Sequence, residues 1–180
     1  DRVIGISFDA TCSLVVLGEN DQALSVEEDI EGQGGETRDV IVWRCHRALE
    51  QAERINNGPH KMLKYLGGVV SPEHEVPKLL WLKENKSDTW QKAQRILDLA
   101  DFMTYKCTGI DCRSLCTSVC KWGYVGHEKR WDRDTFDALS LEDVITRGLV
   151  PDDVRPMGES IGPLTAEAAK HVGLSTNVAA

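Results

Sequence analysis

Long apolar runs are missing from this sequence. No stretch approaches the ~20 apolar residues of a membrane span, and none reads as a secretory leader. Basic residues are in the minority: 21 Lys and Arg face 29 Asp and Glu, a net charge of −8. That balance argues against a nucleic-acid surface, which needs clustered cations. No Gly-rich phosphate loop of the Walker or dinucleotide type is present, and there is no Gly-x-Ser-x-Gly and no His-Glu-x-x-His. No C-x-x-C pair occurs, and there is no internal repeat or low-complexity tract. From chemistry alone the chain holds no complete catalytic set.

What is present fits one soluble α/β domain, or a piece of one. At 180 residues and 41% apolar content a real core can be buried. The six Cys, at 12, 45, 107, 112, 116 and 120, read as free thiols in a reducing cytoplasmic setting. The spacing C-x₄-C-x₃-C-x₃-C is poor for structural zinc, and small thiols packed among apolar residues are the better reading. The chain begins on Asp1-Arg2 and stops after Asn177-Val178-Ala179-Ala180, and both ends read as cut from a longer protein.

Val3–Phe8, Leu14–Leu17 and Val40–Trp43 read as strands of a short β meander. Residues 27–36, acidic and Gly-rich, read as a solvated loop. Helical spacing then dominates: residues 44–56, a short helix over 60–66, and a helix carrying "VPKLLWLKEN" after the Ser71-Pro72-Glu73 start. Further helices are expected from Ser87 through Leu97, from Leu99 to Cys107, over 131–139 and over 165–172. Residues 112–124 fit helix or strand.

Three stretches carry candidate chemistry. Asp9-Ala10-Thr11-Cys12-Ser13 bends the chain without Gly or Pro. Either its hydroxyls bond the local backbone, or it forms a polar pocket wall. In "VIVWRCHRA", Trp43 ends a strand beside the cations Arg44, His46 and Arg47. That is a ligand position in many α/β proteins, or a core Trp with surface cations. Lys121 lies among small and apolar residues, where a Lys either snorkels outward or bonds a ligand oxygen.

In order along the chain, "GISFDATCSLVVLG", "VIVWRCHRA", "GGVVSPEHEVPKLLWLKEN", "DLADFMTYKCTG", "RSLCTSVCKWGY" and "LTAEAAKHVGL" resemble blocks of the FGGY carbohydrate kinases. The intact Thr-Cys-Ser-Leu-Val at 11–15 is similar to the signature of the D-ribulokinase branch. The resemblance implies a partial ribonuclease-H-like (actin-like ATPase) lobe: the sugar-binding part, over residues 1–180. It implies a parent enzyme that moves the ATP γ-phosphate to a terminal hydroxyl of a ketopentose, D-ribulose first. Ribitol, L-ribulose, xylulose or glycerol are alternative substrates, and a non-catalytic sugar sensor is an alternative role. By position it assigns sugar contact to Thr11, Cys12, Trp43, Arg47, Glu73 and Lys121, with no catalytic residue and no metal ligand in this chain. ATP and Mg²⁺ are implied for the parent, bound mainly by an Asp-x-Gly-Thr loop before residue 1 and by a second lobe after residue 180. The general-base Asp is implied just beyond Ala180. The implied partners are sugar and ATP, without nucleic acid or membrane, and a homodimer is compatible. The segment alone is expected to be inactive and poorly stable. Two positions depart from the branch: Cys45 stands where Asp is common, and His74 where Met is common.

Overall fold

A computed structural model describes residues 3–27 and 38–180. The loop expected over 27–36 therefore lies almost wholly outside the described residues. The architecture is α/β. Strand β1 (Leu14–Leu17) is the centre of a three-stranded sheet, flanked by β2 (Val40–Ile41) and β3 (Arg95–Asp98), both antiparallel to it. All four β1 residues are buried, because both faces of the strand are covered. Leu14 and Val16 enter the main core with Ile41 and Ile96. Val15 and Leu17 point the other way and pack with Leu97 in a smaller cluster. This is the two-residue alternation of a pleated strand.

The class agrees with the sequence, but the strand set does not. Val3–Phe8 forms no strand. Among the described residues its one sheet contact is a bridge of Gly5 to Ala179, with Ile6 N–H donating to the Ala179 carbonyl at 2.9 Å. Val3 and Ile4 stay exposed, so the apolar run lacks the ladder that would make it a strand. The third strand is instead the tail of the segment expected as one helix from Ser87 through Leu97. The Arg147 guanidinium donates to the carbonyls of Trp90, Gln91 and Ala93 and ends that helix. Beyond it, Arg95–Asp98 extends along β1, Leu17 opposite Arg95 and Leu14 opposite Asp98.

Helix α1 (Leu49–Asn56) is shorter than expected, and residues 61–65 form a 3-10 turn. Helix α2 (Glu75–Asn85) accepts Pro77 in its first turn, where no intrahelical N–H is needed. Every residue from Glu75 to Leu82 is buried, so α2 runs through the core rather than over it. After α3 (Ser87–Lys92) and β3, helix α4 (Leu99–Thr108) is capped by the Asp98 carboxylate, which accepts from the Ala100 N–H at 3.3 Å. Gly109, at φ 73°, closes it in the left-handed conformation that favours Gly.

The ambiguous stretch 112–124 contains both structures. Strand β4 (Arg113–Ser114) leads into α5 (Leu115–Lys121), and β5 (Tyr124–Val125) follows. β5 pairs with β6 (Arg130–Trp131), and β4 with β7 (Val154–Arg155). Helices α6 (Arg133–Ala138), α7 (Asp143–Thr146) and α8 (Ala166–Val172) complete the chain. Trp81, Trp90, Trp122 and Trp131 all lie in the main core. No helix among the described residues is long and apolar enough to cross a membrane.

Candidate functional site

The bend before β1 is held by contacts that cross the fold. The Ser13 N–H donates to the Thr11 carbonyl at 2.7 Å, which closes the turn. Ser13 is buried, and its Oγ accepts from the Trp43 N–H at 3.1 Å. That hydroxyl therefore ties the bend to the end of β2 rather than to its own backbone. Thr11 is exposed and Cys12 half-buried. Burial, with the nearby Asp98 carboxylate, pushes the Cys12 thiol up to about 11. The Lys121 charge acts in the opposite direction on that thiol.

Lys121 is the last residue of α5 and half-buried. Its charge acts at Cys12, at His74 and at Glu75. Just before α2, Glu73 sits 3.5 Å from the Nε2 of His46, on the loop that follows Trp43. The His74 ring is fixed from one side: its Nδ1 accepts from the Ser71 N–H at 3.1 Å. Burial, then the Lys121 charge, holds His74 below its ordinary value.

Cys12 and Lys121 share one electrostatic neighbourhood, and Glu73 and Trp43 adjoin it through His74 and Ser13. Trp43 is 40% exposed, so its ring is a surface rather than a core group. Arg47 is engaged within the fold. Its Nη1 donates to the Val26 carbonyl at 2.6 Å, its Nε to the Cys45 sulfur at 3.0 Å, and its guanidinium lies 4.8 Å over the Trp81 ring.

Beneath this neighbourhood lies a group that the sequence reading passed over. Glu75 and Lys78 have fully buried side chains one helical turn apart, with Nζ 3.3 Å from the carboxyl. The same Nζ is 3.4 Å from the Cys12 carbonyl oxygen. Asp98 is fully buried beside them. Burial pushes the Glu75 carboxyl up to about 8, against the opposing pull of Lys78, and it raises Asp98 as well. Lys78 was detectable by the argument applied to Lys121: a Lys set in "VPKLLWL" needs a partner.

A cleft of about 730 Å³ opens between the 5–10 segment, α4, β4 and residues 155–161. Cys12 lies on its wall; the other five assigned residues do not. Asp101, also on the wall, accepts from the Ser114 N–H at 2.9 Å, and burial lifts its carboxyl to about 7. Among the described residues no group of three or more His, Cys, Asp or Glu side chains is placed to hold a metal ion.

Residues 30–180 match the family model described as "FGGY family of carbohydrate kinases, N-terminal domain". The chain belongs to the FGGY family. A human "FGGY carbohydrate kinase domain-containing protein" is 44% identical over 99% of this chain, which covers 32% of that protein. A protein of Saccharomyces cerevisiae named D-ribulokinase is 34% identical over 97% of the chain, which covers 26% of it. The fold agrees with a solved gluconate kinase from Lactobacillus acidophilus: TM-score 0.78 at 19% identity, covering 99% of this chain and 33% of that one. This FGGY chain spans about a third of the length of the human, frog and fish relatives.

Proposed function

We propose that the chain is the sugar-binding part of the N-terminal lobe of an FGGY kinase. The complete protein would transfer the ATP γ-phosphate to a terminal hydroxyl of a ketopentose, with D-ribulose the first candidate. The observation that carries the reading is the Trp43 N–H bound to Ser13 in the Cys12 bend, on which the Lys121 charge also acts, with Glu73 held at His46 on the loop after Trp43. A half-buried cation next to backbone and thiol groups suits a polyhydroxylated, uncharged ligand. It can donate to a hydroxyl or ketone oxygen, while Glu73 accepts from a hydroxyl. The Trp43 ring offers an apolar face to the C–H side of a sugar. The relative named D-ribulokinase supports the choice of sugar.

Thr11, exposed at the bend, belongs to the proposed wall. Arg47 supports that wall from within the fold, through Cys45, the Val26 carbonyl and the Trp81 ring, rather than through a free guanidinium. ATP would supply the phosphoryl group and Mg²⁺ would neutralise its charge. No step involving either is assigned to this chain. The proposal also includes sugar and ATP as partners and a cytoplasmic setting, in keeping with six free thiols.

The test is a substrate panel on the complete protein with ATP: D-ribulose, L-ribulose, xylulose, ribitol, glycerol and gluconate. D-Ribulose is expected to give the highest kcat/KM. Preference for a polyol or an aldonate would move the substrate class. No turnover of any sugar, together with sugar binding, would favour a sensing role.

A further inference from the structure

We propose that Cys116 and Cys120 form a dithiol site that chelates a thiophilic ion or metalloid, of the class of trivalent arsenic. The two are exposed, free, and one turn apart on the same face of α5. Residues spaced i and i+4 hold their Cβ atoms about 5–6 Å apart. A disulfide needs about 3.5–4.5 Å, so the intact helix does not favour oxidation to one. A single soft atom bonded to both sulfurs bridges the longer gap without unwinding the turn.

The Cys120 thiol responds to its neighbour one turn away. Burial, then the Cys116 sulfur, raises it above its ordinary value. Two thiolates side by side repel, and an ion that replaces both protons removes that cost. The other thiols offer no equal pair. Cys112 is buried and precedes the helix, and Cys12, Cys45 and Cys107 are half-buried on other elements.

The site ends at Lys121, the residue after Cys120, whose charge reaches both the Cys120 thiol and the Cys12 bend. An occupied dithiol therefore lies one residue from the proposed sugar contact at the end of α5, and loading it perturbs that contact. This second effect rests on the function proposed above; the chelation itself does not.

The probe is phenylarsine oxide, added to the reduced, complete protein. Two S–H bonds break and two As–S bonds form. The arsenic oxygen leaves as water with both protons, and arsenic stays trivalent. One arsenical per chain is expected, with two thiols lost and both mapped to 116 and 120. A small dithiol should release it and a monothiol should not. Because the second bond is intramolecular, Cys116→Ser or Cys120→Ser should each weaken retention by about 10²-fold or more. Cys112→Ser should bind as the unaltered protein does. Retention unchanged in both variants, or a label mapped elsewhere, overturns the site. D-Ribulose turnover should be lost on loading and restored by the dithiol; turnover that persists in the loaded protein overturns the link to Lys121. If the unloaded protein phosphorylates no sugar, the sugar reading fails, and the thiol titration still decides the dithiol site.

Discussion

Lys78→Met is expected to lower stability by about 3 kcal/mol, the lower end of the range for breaking a buried ion pair. The Lys78 ammonium has no exposure, and its neighbours are the Glu75 carboxyl at 3.3 Å and the Cys12 carbonyl at 3.4 Å. Methionine fills the volume but donates nothing. The Cys12 carbonyl loses its donor, and the buried Asp98 loses a nearby cation. The loss stays near the lower end because Glu75 can keep its proton, its carboxyl being already lifted to about 8. The cost should therefore grow as pH rises. Adding Glu75→Gln should recover the part that grows with pH, since an amide cannot ionise and needs no partner cation. Denaturant titration followed by Trp fluorescence reads this directly, because four of the five Trp lie in the main core. A Lys78→Met protein as stable as its parent would mean that the pair holds nothing.

Stability should fall by a few kcal/mol, in order of magnitude, between pH 5 and pH 8. Glu75 is raised from 4.5 to about 8, and Asp101 from 3.8 to about 7, both chiefly by burial. Between the unfolded and folded values the native chain binds more protons than the unfolded one. Its stability therefore decreases as pH rises through that window, and the contribution is gone once pH passes the folded values. This is opposite to a salt-bridged carboxylate with a depressed value. Glu75→Gln should flatten the slope across the window up to about 8 and Asp101→Asn the part below about 7, so that only Glu75 acts between the two. The readout is Tm against pH for the three proteins. Parallel curves would show that neither group carries the dependence.

The legible parts of the fold were those coded locally. Thr165 caps α8, its Oγ1 accepting from the Ala168 N–H at 3.1 Å, and Gly173 closes it at φ 70°. Gly109 ends α4 in the same way. These signals lie within a turn of the structure they specify. The errors came where pairing is distant. Leu14 sits opposite Asp98, and nothing near Arg95–Asp98 announces that partner. A strand covered on both faces also loses its apolar–polar alternation, so "RILD" continued a helical pattern. Val3–Phe8 failed for the converse reason, having strand composition but one bridge.

The site divides along the same line. Thr11, Cys12, Glu73 and Lys121 came from block resemblance, and Lys121 from its unusual neighbours as well. Glu75, Lys78 and Asp98 come from two elements and converge only in three dimensions. Arg47 looked like a free cation because the Val26 carbonyl that takes its Nη1 lies twenty-one residues away. Charge in a sequence says where a partner is required, not which partner the fold supplies.

The central claim is that Lys121 and the Cys12 bend hold the sugar. The most direct test is the steady-state kinetics of Lys121→Met in the complete protein, with D-ribulose and ATP varied separately. Loss of one charge-assisted hydrogen bond should lower kcat/KM for D-ribulose by about 1.5–3 kcal/mol, or roughly 10- to 150-fold. KM for ATP should not move. D-Ribulose kinetics identical to those of the parent would contradict the account.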